Sequence, residues 1–241
     1  MSENTIIIKA SDYRYPSRDE LKAVYKVTPE LSSFGYVSEY PFISLASNER
    51  TIHEVHRDDH LQYWDGVLLN RNGALAHTYE NAIVHFTRGI PDKIKAYEHQ
   101  NYINRMQFDY YAEIFYYHFA TVKDTIAQLL NVYYQLGFDI SKIYFKDILI
   151  KIPNQKVKSI LTNFARETEL TTKYRNSYTH RTPINYPDTR SSIKLEESKL
   201  IYGSAPDSFV KSAVIKANLN ITIHSVAKML SELKKLLPQK I

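Results

Sequence analysis

Residues 108–136 read FDYYAEIFYYHFATVKDTIAQLLNVYYQL. Within them Phe108, Ala112, Phe115, Phe119, Val122, Ile126, Leu129, Tyr133 and Leu136 recur at steps of four and three without interruption. That spacing lines up side chains on one stripe of an α-helix packed lengthwise against others. A second row, Ile103, Met106, Tyr110, Ile114 and Tyr117, makes the first half apolar on two sides. Such a half belongs at the centre of a bundle or in a subunit interface. The helix is predicted to run from about Asp92 or His99 to Leu136 and to stop at Gly137.

The flanking sequence supplies partners for this helix. Upstream, Leu75, Tyr79, Ala82, Phe86 and Ile90 keep helical spacing until Gly89 and Pro91, so a first bundle helix is expected there, preceded by a turn at Asn70-Arg71-Asn72-Gly73. Downstream, 139–152 reads as a mixed connector with a short helical turn, closed by Pro153. Asn154 can then cap a third helix with the stripe Val157, Ile160, Leu161, Phe164 and Thr168, running towards Tyr174. Pro183 and Pro187 stop regular helix, and 182–205 reads as a loop with a short hairpin from Ile193 to Tyr202. Pro206-Asp207-Ser208 opens a last helix whose stripe is Ile215, Leu219, Thr222, Val226, Leu230, Leu233 and Leu237, ending near Pro238.

The first seventy residues are less regular: a short strand over Thr5–Lys9, a short helix over Asp19–Val27 and an irregular arm over Thr28–Ser47 are the readings they allow. His53, His56 and His60 share a face of a predicted helix with Asp59 nearby. A metal site is conceivable there, but a polar helix face accounts for them equally well and is preferred, with no cofactor expected. The fold class is therefore all-α, an up-and-down bundle of four to five helices over 71–241 with a mixed N-terminal extension over 1–70.

Composition narrows the function classes. The 241 residues are 44% hydrophobic with six glycines, which favours an ordered helical protein over a turn-rich β protein. The chain has no cysteine, which removes disulfides, thiolate metal sites and cysteine nucleophiles together. No apolar run approaches the roughly 18 residues of a membrane span, and Met1–Lys9 lacks a long apolar signal region. A soluble, cytoplasmic chain with no membrane partner is expected. Lysine and arginine exceed aspartate and glutamate by 31 to 26, giving +5, a mild basic excess compatible with transient binding of a polyanion.

The stretch with chemistry in it is Lys173-Tyr174-Arg175-Asn176-Ser177-Tyr178-Thr179-His180-Arg181. Arginine presents a planar, permanently charged fork suited to a phosphate or a phosphorane, and histidine moves protons near neutral pH. RNA brings its own 2′-hydroxyl nucleophile. Arg175 on the scissile phosphate, His180 as base or acid and Asn176 orienting one of them would suffice to cleave RNA without metal.

Arg175-Asn176-Ser177-Tyr178-Thr179-His180 resembles the R-x4-6-H motif, with a polar residue after the arginine, of the HEPN superfamily (higher eukaryotes and prokaryotes nucleotide-binding domains), in a prokaryotic RNxxxH form. The helical context over about Leu75 to Leu237 is similar to that family's bundle. The resemblance implies a metal-independent endoribonuclease, dimerised so that two motifs face one cleft, and a toxin or defence role with an antitoxin or regulatory partner. It makes Arg175, Asn176 and His180 the catalytic residues. Lys173 and Arg181 are candidates for flanking phosphates, with solvated charge as the alternative; Tyr174 and Tyr178 would stack on bases or simply pack. His180 is followed by Arg181 and Thr182, unlike a subgroup whose motif continues as R-x4-H-x-Y, so that subgroup's regulation does not carry over. A non-catalytic module binding nucleotide, RNA or protein is the alternative function. A purely structural bundle, with Arg175 capping carbonyls, is a third.

Overall fold

The computed structural model describes residues 7–37, 45–46, 50–196, 199–203 and 209–238. Among them are seven α-helices: α1 Arg18–Tyr25, α2 Ile52–Thr87, α3 His99–Tyr133, α4 Phe145–Lys151, α5 Gln155–Glu167, α6 Glu169–His180 and α7 Ser212–Leu236. One antiparallel hairpin, β1 Ser192–Glu196 with β2 Lys199–Gly203, sits between α6 and α7 and pairs Ile193 with Tyr202.

The 36-residue α2 and 35-residue α3 form the frame, each about 50 Å long at 1.5 Å per residue. They run antiparallel, since Arg71 meets Thr121, Tyr79 meets Phe115 and Phe86 meets Phe108. The first seven residues of the stripe on α3, Phe108 to Leu129, are buried, and Tyr133 and Leu136 are partly so. The helix ends at Tyr133 because Gln135 and Gly137 take positive φ, 51° and 73°. Asn131 then holds the turned chain through both the N–H and the carbonyl of Phe138. In the second apolar row Ile103 is buried, but Met106 and Tyr110 remain 46% and 58% exposed.

The expected turn at Asn70–Gly73 does not form; α2 passes through it unbroken. Gly73 costs a helix interior about 1 kcal/mol, less than the burial of Leu68 and Leu75 on either side returns, at about 1.5–3 kcal/mol each. Polar partners also hold the segment. Arg71 Nη1 donates to the Thr121 carbonyl at 2.8 Å and to Thr125 Oγ1, and buried Asn72 donates to the Ser32 carbonyl at 3.5 Å. The helix expected around His53–His60 is the first part of α2, capped by the reciprocal Thr51–Glu54 pair.

The N-terminal segment is clamped to α2 at two places. Arg88 donates to both carboxylate oxygens of Glu20 at 2.7 and 2.8 Å and to the carbonyls of Arg14 and Tyr15. Buried Asp65 accepts the backbone N–H groups of Phe34, Gly35 and Tyr36 at 2.7, 2.7 and 3.1 Å, so Phe34 enters the core at 1% exposure. Gly35, at φ 78°, makes the backbone turn that aims all three donors at one carboxylate. Of the strand expected over Thr5–Lys9, residues 7–9 are not strand and the rest lies outside the described residues. The irregular arm over Thr28–Ser47 is described only for 28–37 and 45–46.

Asn154 caps α5 as expected, accepting from the N–H groups of Lys156 and Val157. The third helix is not continuous, however. Thr168, fully buried, has φ −106° and ψ 16°, and its hydroxyl bonds back to the Phe164 carbonyl at 2.7 Å, ending α5 and letting α6 leave on its own course. α7 runs back along both: Ser225 and Lys228 bond Glu167, and Thr222 bonds Thr171. All seven residues of its predicted stripe are buried. Its expected start at Pro206–Ser208 lies outside the described residues. The long elements α2, α3, α5 with α6, and α7 thus alternate in direction, as an up-and-down bundle requires.

Candidate functional site

α6 is held by two tyrosines one turn apart. Tyr174 meets Tyr116 of α3 edge-on at 5.9 Å, and Tyr178 stacks on the same ring at 5.7 Å and 25°. Tyr116 is fully buried and donates to Asn218 Oδ1 of α7 at 2.9 Å, so one side chain ties α3, α6 and α7 together. Tyr178, proposed from the sequence as a base-stacking residue, is 8% exposed. The packing alternative describes it. Burial, with Asp109 and Glu113 nearby, pushes its phenol well above the usual range.

With Tyr174 and Tyr178 turned to the core, the neighbouring positions of α6 reach the surface. Arg175 is half-buried, while Asn176 and His180 are exposed. Arg175 Nη1 donates to Asn176 Oδ1 at 3.2 Å, and its Nε is buried without a partner among the described residues. The guanidinium is therefore drawn towards the Asn176 side of the helix. Asn176 and His180 are four apart and share a face, so the asparagine bridges the azimuth between an arginine and a histidine that five residues would otherwise separate.

Two cavities open on this end of α6. One, of about 420 Å³, is lined by Arg175 and Asn176 together with Thr172 of α6, Phe119, Ala120, Lys123 and Asp124 of α3, and Tyr144, Phe145 and Lys146 at the start of α4. The other, of about 750 Å³, is an open groove lined by His180, Arg181 and the 182–190 loop including Arg190. Arg175 and His180 thus face different cavities of one chain. Lys173 pairs with Glu169 at 2.7 Å in the open, and Arg181 closes α6 with its N–H on the Ser177 carbonyl.

The sequence did not point to Lys123, Asp124, Tyr144 or Lys146. Lys123 lies over the rings of Phe119 and Phe145 at 5.4 and 5.1 Å and donates to Thr172 Oγ1 at 3.4 Å. Burial presses its amine pKa down, Arg175 adds to that, and Asp124 opposes it. The Asp124 carboxyl is pushed up by burial, against the pull of Lys123, Arg175 and Arg71. One signal was available. Between residues 114 and 138, Lys123 and Asp124 are the only lysine, arginine, aspartate or glutamate. A charged pair inside so long an apolar helix marks a place where another element brings it a partner.

Among the described residues, no group of three or more His, Asp and Glu side chains stands as a metal-ion cage. The His56 and His60 rings lie 4.2 Å apart, and His53 is exposed. No described helix is long and apolar enough to cross a membrane.

A bundle of long alternating helices is consistent with the all-α fold of the HEPN superfamily. The chain matches the family model described as Cthe2314-like HEPN over residues 64–237 and belongs to that family. Membership supports a nucleotide- or RNA-related function. No curated protein and no solved structure matches the chain.

Proposed function

We propose that this chain is a metal-independent endoribonuclease in which Arg175, Asn176 and His180 act together, with two copies meeting so that their motifs share one RNA. The observation that carries the reading is the Asn176 contact, which holds a half-buried guanidinium at a cavity with basic walls, five residues along the helix from an exposed histidine. Arg175 would hold the non-bridging oxygens of the scissile phosphate and offset charge that grows in the transition state. The 2′-oxygen attacks phosphorus, losing its proton to a histidine, while the P–O5′ bond breaks and the leaving oxygen gains a proton. The products are a 2′,3′-cyclic phosphate and a 5′-hydroxyl. Because Arg175 and His180 line different cavities of one chain, the His180 of a second copy is a natural supplier of the missing group. A toxin or defence role, controlled by an antitoxin or regulatory protein, is the setting this reading carries over from the superfamily.

The same separation favours a second reading, a module that binds RNA or nucleotide without cutting it. Purified protein and the Arg175→Ala and His180→Ala variants, incubated with mixed-sequence single-stranded RNA in chelator, separate the two. Cleavage by the parent alone, leaving cyclic phosphate ends, is expected. Retention of uncut RNA that is lost in Arg175→Ala identifies the binding module, and cleavage that needs added divalent metal refutes the mechanism.

A further inference from the structure

The cavity in front of Arg175 holds more than a scissile phosphate needs. Its floor is apolar, made by Phe119, Ala120 and Phe145, and its walls carry Lys123, Lys146 and Arg175 against the single carboxylate of Asp124. Lys123 makes no ion pair among the described residues; its amine rests on two ring faces and one threonine hydroxyl. A largely buried cation beside a guanidinium is an arrangement that an incoming anion relieves. At the rim, Tyr144 is 59% exposed, with the Lys146 amine 5.7 Å from its ring centre. An exposed aromatic ring with a cation over one face matches a nucleobase stacked on the other face and followed by its phosphate. The volume, about 420 Å³, lies within the range of small-ligand sites.

We propose that the cavity between α3, α4 and α6 is a subsite for one unpaired nucleotide of RNA next to the scissile phosphate, with Tyr144 stacking on the base and Lys123 and Lys146 holding the adjoining phosphate. This rests on the endoribonuclease reading and adds to it a substrate class. In an A-form duplex each base is stacked and paired and cannot leave to meet Tyr144, so the site demands a single-stranded loop, bulge or end.

The test uses the full chain carrying His180→Ala, so that RNA stays intact, and follows a labelled unpaired octanucleotide and a blunt hairpin stem by fluorescence anisotropy. Tyr144 and Lys146 are exposed, so Tyr144→Ala, Tyr144→Phe and Lys146→Ala leave the core alone; Lys123→Met is added, with helicity checked for each. Tyr144→Ala is expected to weaken binding of the octanucleotide about 10-fold and Tyr144→Phe less than about 2-fold, in line with a stacking role. The two lysine changes together are expected to lower the magnitude of the salt slope by about 0.7, the value for one single-strand phosphate. The stem should bind weakly and respond to none of the variants.

Octanucleotide affinity unchanged by all four variants overturns the subsite, as does a stem that binds equally well with the same losses. So does free AMP binding through Tyr144 and Lys123 while octanucleotide affinity ignores both, which would assign the cavity to a free nucleotide. Cleavage by the His180 parent, assayed in parallel, keeps the two ideas apart. Cleavage with no dependence on the cavity sinks the subsite alone, whereas cavity-dependent binding without cleavage supports the subsite and sinks the nuclease reading.

Discussion

Tyr116 offers the sharpest test of how the motif helix is held. Its hydroxyl makes one hydrogen bond, to Asn218 Oδ1 at 2.9 Å, and that oxygen keeps a weaker donor in Thr171 Oγ1 at 3.4 Å. Tyr116→Phe therefore leaves no acceptor wholly orphaned and is expected to cost about 1 kcal/mol, the net worth of a typical hydrogen bond. Tyr116→Ala removes the ring on which Tyr174 and Tyr178 both rest, at a site with no solvent exposure. Loss of such a buried aromatic costs about 3–5 kcal/mol. The loss should also be uneven, because α2 and α3 retain the rest of their shared stripe whereas α6 loses its main anchor. Urea unfolding gives the two totals, and amide hydrogen exchange gives their distribution. Protection over residues 169–180 should fall well before that of the buried stretches of α2 and α3. If Tyr116→Ala and Tyr116→Phe differ by less than about 1 kcal/mol, or protection falls evenly across the bundle, the ring is not what positions the motif.

Three further outcomes can be checked. Asp65→Ala strands three backbone N–H groups, two of them on buried residues, and is expected to destabilise by about 3–5 kcal/mol in chemical unfolding; a loss below about 1 kcal/mol would mean water or a shifted loop replaces the carboxylate. Arg88 holds the Glu20 carboxyl down from 4.5 to about 2. A depressed carboxylate stabilises above its unfolded pKa, so this contribution should be complete above pH 4.5 and fade as pH falls towards 2. With about a third of the Glu20 side chain exposed, solvent screening reduces it to about 1 kcal/mol; the difference in unfolding free energy between parent and Glu20→Gln should shrink across that window, and a constant difference would contradict the linkage. Finally, the exposed Met106 and Tyr110 on the outer face of α3 should lie in the contact between two copies. Light scattering at micromolar concentration is expected to give a dimer that Tyr110→Lys converts to monomer, and a parent already monomeric would remove the shared site.

The bundle was legible because its long stripes are regular. Phe108 to Leu129 and Ile215 to Leu237 each repeat often enough that periodicity alone names the buried face. Single positions were legible only where local chemistry decides the outcome, as at the Asn154 cap. Asn70–Gly73 misleads because its turn preference is local while Leu68, Leu75 and the reach of Arg71 to α3 are not. The break at Thr168 leaves no trace in the periodicity, since Thr168 is buried like any stripe residue. In the site, Arg175, Asn176 and His180 announce themselves by residue type and spacing. Tyr178 does not announce its role: only the course of α6 across α3 turns it inward. Lys123 and Tyr144 are 21 positions apart on different elements, and no linear pattern joins them into one cavity.

The two clamps on α2 also bear on what counts as a unit of this protein. Asp65 and Arg88 are 23 residues apart, about 35 Å along the helix, and the segment from Arg14 to Tyr36 spans them as a splint. The family match begins at residue 64, one residue before the first clamp. A chain cut at that boundary would keep both clamping side chains and lose everything they hold, leaving Asp65 a buried-site carboxylate without donors and uncovering the core where Val24, Phe34 and Tyr36 now sit. The recognisable family segment and the segment that packs into one core are therefore different lengths of the same chain, and the splint is the difference.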